Sequence, residues 1–175
     1  EIEYGLETIN DKASSDKVSE FTQNNEALSE SENRLSKRIM RVNHMGEVCA
    51  QGLYRGQAAF TDDVNTKEQL KIMCNEEREH LKICHGRLDE LGASGSIFNG
   101  LWYLSSFALG ALAGLTQERY GAGFIEETEK QVSHHLDDSI DKLPASDFRS
   151  KEMLSYIKVD EAKHEKTAIE MGSKD

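Results

Sequence analysis

The chain has 175 residues, 30% of them charged and 37% hydrophobic, and a formal net charge of −11. That length fits one domain, or one domain with a tail, and is enough to bury a sizeable core. The acidity argues against nucleic acid as a partner, and a single proline, Pro144, among abundant Glu, Lys, Leu and Ala argues for an all-α protein.

Residues 1–33 are rich in Ser, Asn, Glu and Asp and are expected to form an acidic, flexible leader. Residues 1–35 hold nine acids against three bases, so the charge excess sits mostly there. No secretory signal is visible in this acidic start, and because it opens on Glu1 rather than Met, further residues are expected before it. Residues 34–175 are expected to form the folded domain.

From about Arg34, Leu35, Ile39, Val42, Val48, Leu53 and Tyr54 recur at helical spacing. Thr61-Asp62-Asp63 breaks that pattern and offers caps for a second helix, about Thr66 to Leu91, with Leu70, Met73, Cys74, Leu81, Cys84 and Leu88 on one face. Gly92-Ala93-Ser94-Gly95-Ser96 ends it. Residues 91–117 carry no charged side chain. A fourth helix is predicted from about Gln117 to Leu143, and a fifth from about Phe148 to Met171, capped by Ser146 or Asp147. Cys49, Cys74 and Cys84 form no CxxC pair and are expected as reduced, buried thiols.

The second and fifth helices share a motif. Glu76-Glu77-Arg78-Glu79-His80 and Asp160-Glu161-Ala162-Lys163-His164 both read acid-Glu-x-x-His. Residues three apart on a helix share a face about 5–6 Å apart, so the Glu and His of each motif can hold one metal together. Bundles that bind two irons use two such helices plus one Glu from each of two others. The first helix offers Glu47, and the fourth offers Glu126, Glu127 and Glu129. One ExxH on an acidic helix means little, since salt-bridged surface helices abound in glutamate. Two, each preceded by an acid and by a Glu-bearing helix, point to a two-metal bundle with oxygen and nitrogen ligands, suited to iron or manganese.

Asp160 is placed to orient a ligand imidazole, whereas Glu76 reads as a solvated charge. His44 either shares the face of Glu47 or is a satisfied core histidine. His135 is a candidate for the cavity beyond Glu129, and His85 reads as a surface residue.

The stretch Arg38-Ile39-Met40-Arg41-Val42-Asn43-His44-Met45-Gly46-Glu47-Val48-Cys49-Ala50-Gln51 resembles the opening motif of the demethoxyubiquinone hydroxylases of ubiquinone biosynthesis, especially their bacterial branch. Leu101-Trp102-Tyr103, the run from Phe107 to Leu115, Glu127-Thr128-Glu129-Lys130-Gln131-Val132 and Asp160-Glu161-x-x-His164 are similar to that family too, in order, over about Leu35 to Met171. The resemblance implies a ferritin-like four-helix di-iron bundle with an additional apolar, membrane-interfacial helix. It implies iron ligands Glu47, Glu77, His80, Glu129, Glu161 and His164, with Glu77 and Glu161 bridging, and selects Glu129 over its neighbours.

The implied activity is a di-iron monooxygenase of the 3-demethoxyubiquinol 3-hydroxylase type, which hydroxylates the ring of a 2-polyprenyl-3-methyl-6-methoxy-1,4-benzoquinol. Two iron ions per chain, O2 as co-substrate and an external reductant such as NADH follow. No GxGxxG fingerprint is present, so NADH would act without one or through a partner reductase. Expected partners are the quinol, a membrane surface, other ubiquinone-biosynthesis proteins and a second copy of the chain. The expected location is peripheral on the cytoplasmic side of a bacterial cell membrane, with the matrix side of the mitochondrial inner membrane as the alternative. The family pattern continues with another apolar helix where this sequence stops at Gly172-Ser173-Lys174-Asp175, which leaves a truncated chain or weaker membrane attachment as the expectations.

The charge-free stretch 91–117 has three readings: interfacial, with Trp102 and Tyr103 at the headgroups; buried in the core or an oligomer; or membrane-spanning. Interfacial fits a prenyl-tailed substrate best. Two other functions compete with hydroxylation, a ferritin-like ferroxidase or iron-binding protein and a non-catalytic quinone- or lipid-binding protein of the membrane surface.

Overall fold

A computed structural model describes residues 15–23, 27–116 and 118–172, and among them the protein is all-helical, with no strand. Ser29 opens α1, Glu30–Phe60: its hydroxyl accepts from the Glu32 N–H, and the Glu32 carboxylate accepts from the Ser29 N–H at 2.8 Å. This capping box carries the helix about one turn ahead of the predicted start at Arg34, where the apolar pattern begins. Asp63 caps α2, Val64–Glu90, by accepting from the Thr66 N–H. The helix stops at Gly92, whose φ of +70° is a left-handed conformation that a Cβ would disfavour. The Gly92 and Ala93 N–H groups return to the carbonyls of Asp89 and Leu88 at 2.9 and 2.8 Å, closing the last turn. α3 spans Asn99–Gly114, α4 Glu118–Lys142 and α5 Phe148–Gly172. Asp147 caps α5, accepting from the Ser150 N–H at 3.1 Å.

α1 pairs with α2, α4 pairs with α5, and α3 lies along α1. Two apolar layers fill the interior. One joins Met40, Ile83, Leu88, Leu136, Leu154 and Ile157; the other joins Tyr54, Leu70, Met73, Ile125 and Ala168. On each of the four paired helices the predicted ligand position falls between these layers in the sequence. The packing therefore holds a polar stratum at mid-height and closes it above and below.

α3 is built inside out for a soluble helix. Its buried positions Asn99, Tyr103, Ser106, Gly110 and Gly114 recur every three or four residues and are mostly small or polar. They meet Gly52 and Gly56 of α1 so closely that a Cβ on Gly110 would lie 2.0 Å from the Leu53 carbonyl oxygen, and one on Gly56 2.1 Å from that of Phe107. Its large apolar residues point outward: Leu101, Leu104, Leu109, Leu112 and, at the ends, Ile97 and Leu115 are exposed. Trp102 is exposed as expected, but Tyr103 is buried beside Val48, Leu81 and Phe107, since it falls on the docking face one residue later. No described helix is long and apolar enough to cross a membrane.

Of the expected leader, residues 1–14 and 24–26 lie outside the described residues, and Glu30–Asn33 belong to α1. Residues 15–22 lie against α2 and α5. A short 3-10 turn, Asp16–Ser19, buries Val18 in the first apolar layer, and the Phe21 ring stands edge-on to Tyr156 at 5.7 Å. Arg149, 2% exposed, donates to the carbonyls of Val18, Phe21 and Thr22 while gripping both Glu90 oxygens at 2.6 and 2.7 Å.

Candidate metal centre

All six residues that the motifs and the family resemblance single out together are buried and meet in the stratum between the apolar layers. Donor atoms of Glu47, Glu77, His80 and Glu161 lie within 4.8 Å of one another, and those of Glu77, Glu129, Glu161 and His164 do the same. Glu77 and Glu161 belong to both groups. They are the glutamates of the two ExxH motifs, one on α2 and one on α5, so the i, i+3 face of each helix reaches across the bundle to the other.

Both imidazoles present Nδ1 to the centre. His80 Nδ1 lies 3.2 Å from Glu161 and 3.4 Å from Glu77; His164 Nδ1 lies 3.0 Å from Glu77 and 3.1 Å from Glu161. Both turn Nε2 outward to an acid of the opposite motif: His80 to Asp160 at 3.4 Å and His164 to Glu76 at 2.8 Å. The reading of Glu76 as a solvated charge is thereby corrected. Its side chain is half exposed, yet one oxygen reaches the imidazole on α5. Each acid fixes the tautomer and tilt of the histidine it faces.

The charges explain one another. Burial, with the carboxylate of Glu77 nearby, pushes Glu47 well above the usual carboxylate range, and burial beside Glu161 does the same to Glu129. Burial also works on Glu77, but hydrogen bonds from His164 and His80 outweigh it and hold this acid well below its usual value. Burial opposes the charge on His164, yet Glu161 and Glu77 raise it to about 11, and His80 is raised by Asp160, Glu161 and Glu77 in the same way. The two imidazolium groups thus neutralise part of a negative cluster that would otherwise repel itself.

The donor set fits a pair of metal ions. Glu129 is fully buried, and neither of its oxygens has an aligned hydrogen bond. Buried polar atoms left without partners are costly, and here they converge on one region. Four carboxylates and two imidazoles form a hard, oxygen-rich set suited to iron or manganese.

A cavity of about 540 Å³ reaches this stratum between α1 and α4. Glu47, Glu77, Glu129 and Glu161 line its inner end, and Val42, Met45, Tyr54, Phe124 and Val132 supply apolar walls. His135 also lines it, in line with its sequence reading, and His134 does not. His44 is not part of the centre. It is buried under Gly95, its pKa lowered to about 4 by burial and by His85, whose ring lies 5.7 Å away. That packing also makes His85, expected at the surface, a partly buried residue. The three cysteines are free thiols, with Cys74 and Cys84 buried and Cys49 half-buried.

Sequence reasoning missed a second charged cluster at one end of α2 and α5. Arg87 donates to Asp147 at 2.8 Å, to Glu90 at 2.9 Å and to Ser150 at 2.8 Å, next to the Arg149–Glu90 pair. Only Asp147, flagged as a cap, carried a signal.

Comparison with known proteins agrees with the motifs. Residues 34–175 match the family model described as ubiquinone biosynthesis protein COQ7. A 3-demethoxyubiquinol 3-hydroxylase of Psychrobacter sp. (strain PRwf-1) is 48% identical over 147 residues, which cover 84% of this chain and 69% of that protein. Proteins of the same name from Xanthomonas axonopodis pv. citri (strain 306) and Xanthomonas campestris pv. campestris (strain 8004) are 49% and 46% identical, covering 78% and 85% of this chain. The matches span 63% and 68% of those two relatives, so the chain aligns with about two thirds of their length.

Proposed function

The chain belongs to the ubiquinone biosynthesis protein COQ7 family, and on that premise we propose that it is a 3-demethoxyubiquinol 3-hydroxylase working at a two-iron centre in a ferritin-like bundle. The observation that carries this reading is the pair of overlapping buried donor groups sharing Glu77 and Glu161 at the inner end of a cavity. Glu47 and His80 complete one iron site, Glu129 and His164 the other. When bound, iron supplies the electron-transfer and O2 chemistry that no side chain in the cavity can perform.

The remaining work belongs to the protein. Apolar walls between α1 and α4 take the benzoquinol ring toward the glutamates and leave its prenyl tail running outward. Asp160 and Glu76 hold the two imidazoles with Nδ1 inward. The apolar layers above and below keep bulk water from the reacting ring. In the overall conversion a ring C–H becomes C–OH, the second atom of O2 leaves as water, and an external reductant such as NADH supplies two electrons, accompanied by two protons.

We place the protein on a membrane surface, with the outward apolar side of α3 in contact with lipid, because Leu101, Leu104, Leu109 and Leu112 are exposed together on one helix. That exposed side also argues against a storage shell, whose outer surface is polar. Metal analysis after anaerobic loading with Fe(II) tests the assignment. Two irons per chain are expected; iron well below that, not restored by added Fe(II), would remove both the hydroxylase and the ferroxidase readings.

A further inference from the structure

From Asn33 to Gly46 the sequence has four cations, Arg34, Lys37, Arg38 and Arg41, and no acid, although the whole chain carries −11. With Ser31 and Leu35 these side chains border a shallow hollow of about 410 Å³ on the outer side of α1. Arg34 and Arg38 are exposed. The ion pair from Arg34 to Glu30, at 3.2 Å, is itself exposed and holds little of that charge. Arg41 donates to the Ser94 carbonyl at 2.9 Å, which ties the patch to the loop leading into α3.

The patch and α3 share a side of the molecule. Arg34, Arg38, Arg41, Met45, Cys49, Gly52 and Gly56 follow one another at spacings of three or four residues, a single stripe along α1. The two glycines at its far end are where α3 docks, and Met45 in its middle lines the cavity. One side of the protein thus presents, in order, a cationic patch, an edge of the cavity and an outward apolar helix.

We propose that Arg34, Lys37, Arg38 and Arg41 are a binding site for anionic phospholipid headgroups, which seats the protein on a negatively charged bilayer with α3 and the cavity toward the lipid. This rests on the membrane-surface reading above and adds the lipid chemistry and the residues that recognise it. An apolar side alone does not discriminate a neutral from an anionic bilayer. A cation close to an anionic surface adds about fivefold in binding, and the gain is screened by salt. Four cations at one end of the contact would also fix which way α3 lies.

The test is co-sedimentation of the full chain with phosphatidylcholine vesicles and with vesicles containing one quarter phosphatidylglycerol. Binding to the anionic vesicles is expected to be tighter by on the order of a hundredfold at low salt, with most of the difference lost at 0.5 M NaCl. The variant R34Q/K37Q/R38Q, which leaves the Arg41–Ser94 bond in place, should keep its helical content and its weak binding to neutral vesicles but lose the anionic preference. Equal binding of the wild type to both vesicles, or a variant that keeps the preference, overturns the lipid-headgroup site alone. No binding to either vesicle overturns the membrane-surface reading and this site with it. Binding to polyglutamate that the triple variant abolishes, without any vesicle preference, would assign the patch to an acidic protein and also overturn the proposal.

Discussion

Nε2 of His164 lies 2.8 Å from Glu76, the acid that precedes the ligand glutamate of the opposite helix. His80 makes the reciprocal contact with Asp160 at 3.4 Å. Each acid-Glu-x-x-His motif therefore contributes a donor pair to the centre and an outer carboxylate to its counterpart, which couples α2 and α5 through four side chains.

If those outer carboxylates orient the histidines, Glu76→Gln and Asp160→Asn should each weaken iron binding about 10- to 100-fold without changing the helical content. A chelator-competition titration reads this directly. Unchanged affinity in both variants would show that the acids are bystanders.

Shared and unshared glutamates should behave differently. Glu161 belongs to both donor groups, so Glu161→Ala should abolish iron binding and hydroxylation, whereas Glu129→Ala should leave close to one iron per chain. Glu129 is also buried without an aligned hydrogen bond. Glu129→Leu should accordingly stabilise the iron-free protein, by on the order of 1–3 kcal/mol in urea melts. An iron-free variant less stable than the parent contradicts this account of the site.

The iron-free protein should lose stability as pH rises. His164 is raised from 6.5 to about 11 in the folded state, so its contribution is complete below about 6.5 and is lost as pH climbs toward 11. Glu47 and Glu129, raised well above 4.5, act in the same sense over a window that begins lower. Urea midpoints at pH 6, 8 and 9.5 should fall in that order, and His164→Gln should reduce the slope. Midpoints that rise over this range would mean the histidines are not charged in the iron-free state.

At the far end of the bundle, Arg149→Met removes one of the two arginine partners of Glu90 and the donor to three carbonyls of residues 18–22. A loss of about 1–3 kcal/mol is expected from the donors removed. Amide hydrogen exchange in residues 15–22 should quicken more than in the centre of α2. Exchange that stays slow there would show that Val18 and Phe21 hold the segment without the arginine.

The close crossing of α1 and α3 predicts a selective defect. Gly110→Leu cannot fit against the Leu53 carbonyl, so α3 should detach and bind vesicles poorly while iron binding by the other four helices persists. Loss of iron binding along with α3 would mean that the layers around the centre depend on that contact.

The sequence made the helices legible to within a few residues, because apolar spacing and strong breakers such as Thr61-Asp62-Asp63 and the Gly92 turn mark their ends. Glu77, His80, Glu161 and His164 stand out through a repeated i, i+3 pattern and Glu47 as the extra glutamate on the first helix, and the structure brings them together. Spacing could not separate Glu129 from Glu126 and Glu127, since three glutamates within four residues cover several sides of a helix. Glu76 reads as solvated in the sequence because its partner His164 lies 88 positions away. Arg149 gave no signal at all: its burial depends on residues 15–22 lying over it, and their composition reads as a leader. Trp102 and Tyr103 read alike in the sequence, but a 100° step between neighbours puts one outside and the other against Leu81.

The most direct test of the central claim is product analysis with demethoxyubiquinol, a reductant and ¹⁸O-labelled O2, using the full chain loaded with iron. One labelled oxygen in the new ring hydroxyl, formed by the iron-loaded parent and absent with Glu161→Ala, is the predicted result. Two irons bound with no hydroxylated product, or a hydroxyl whose oxygen comes from water, would contradict it.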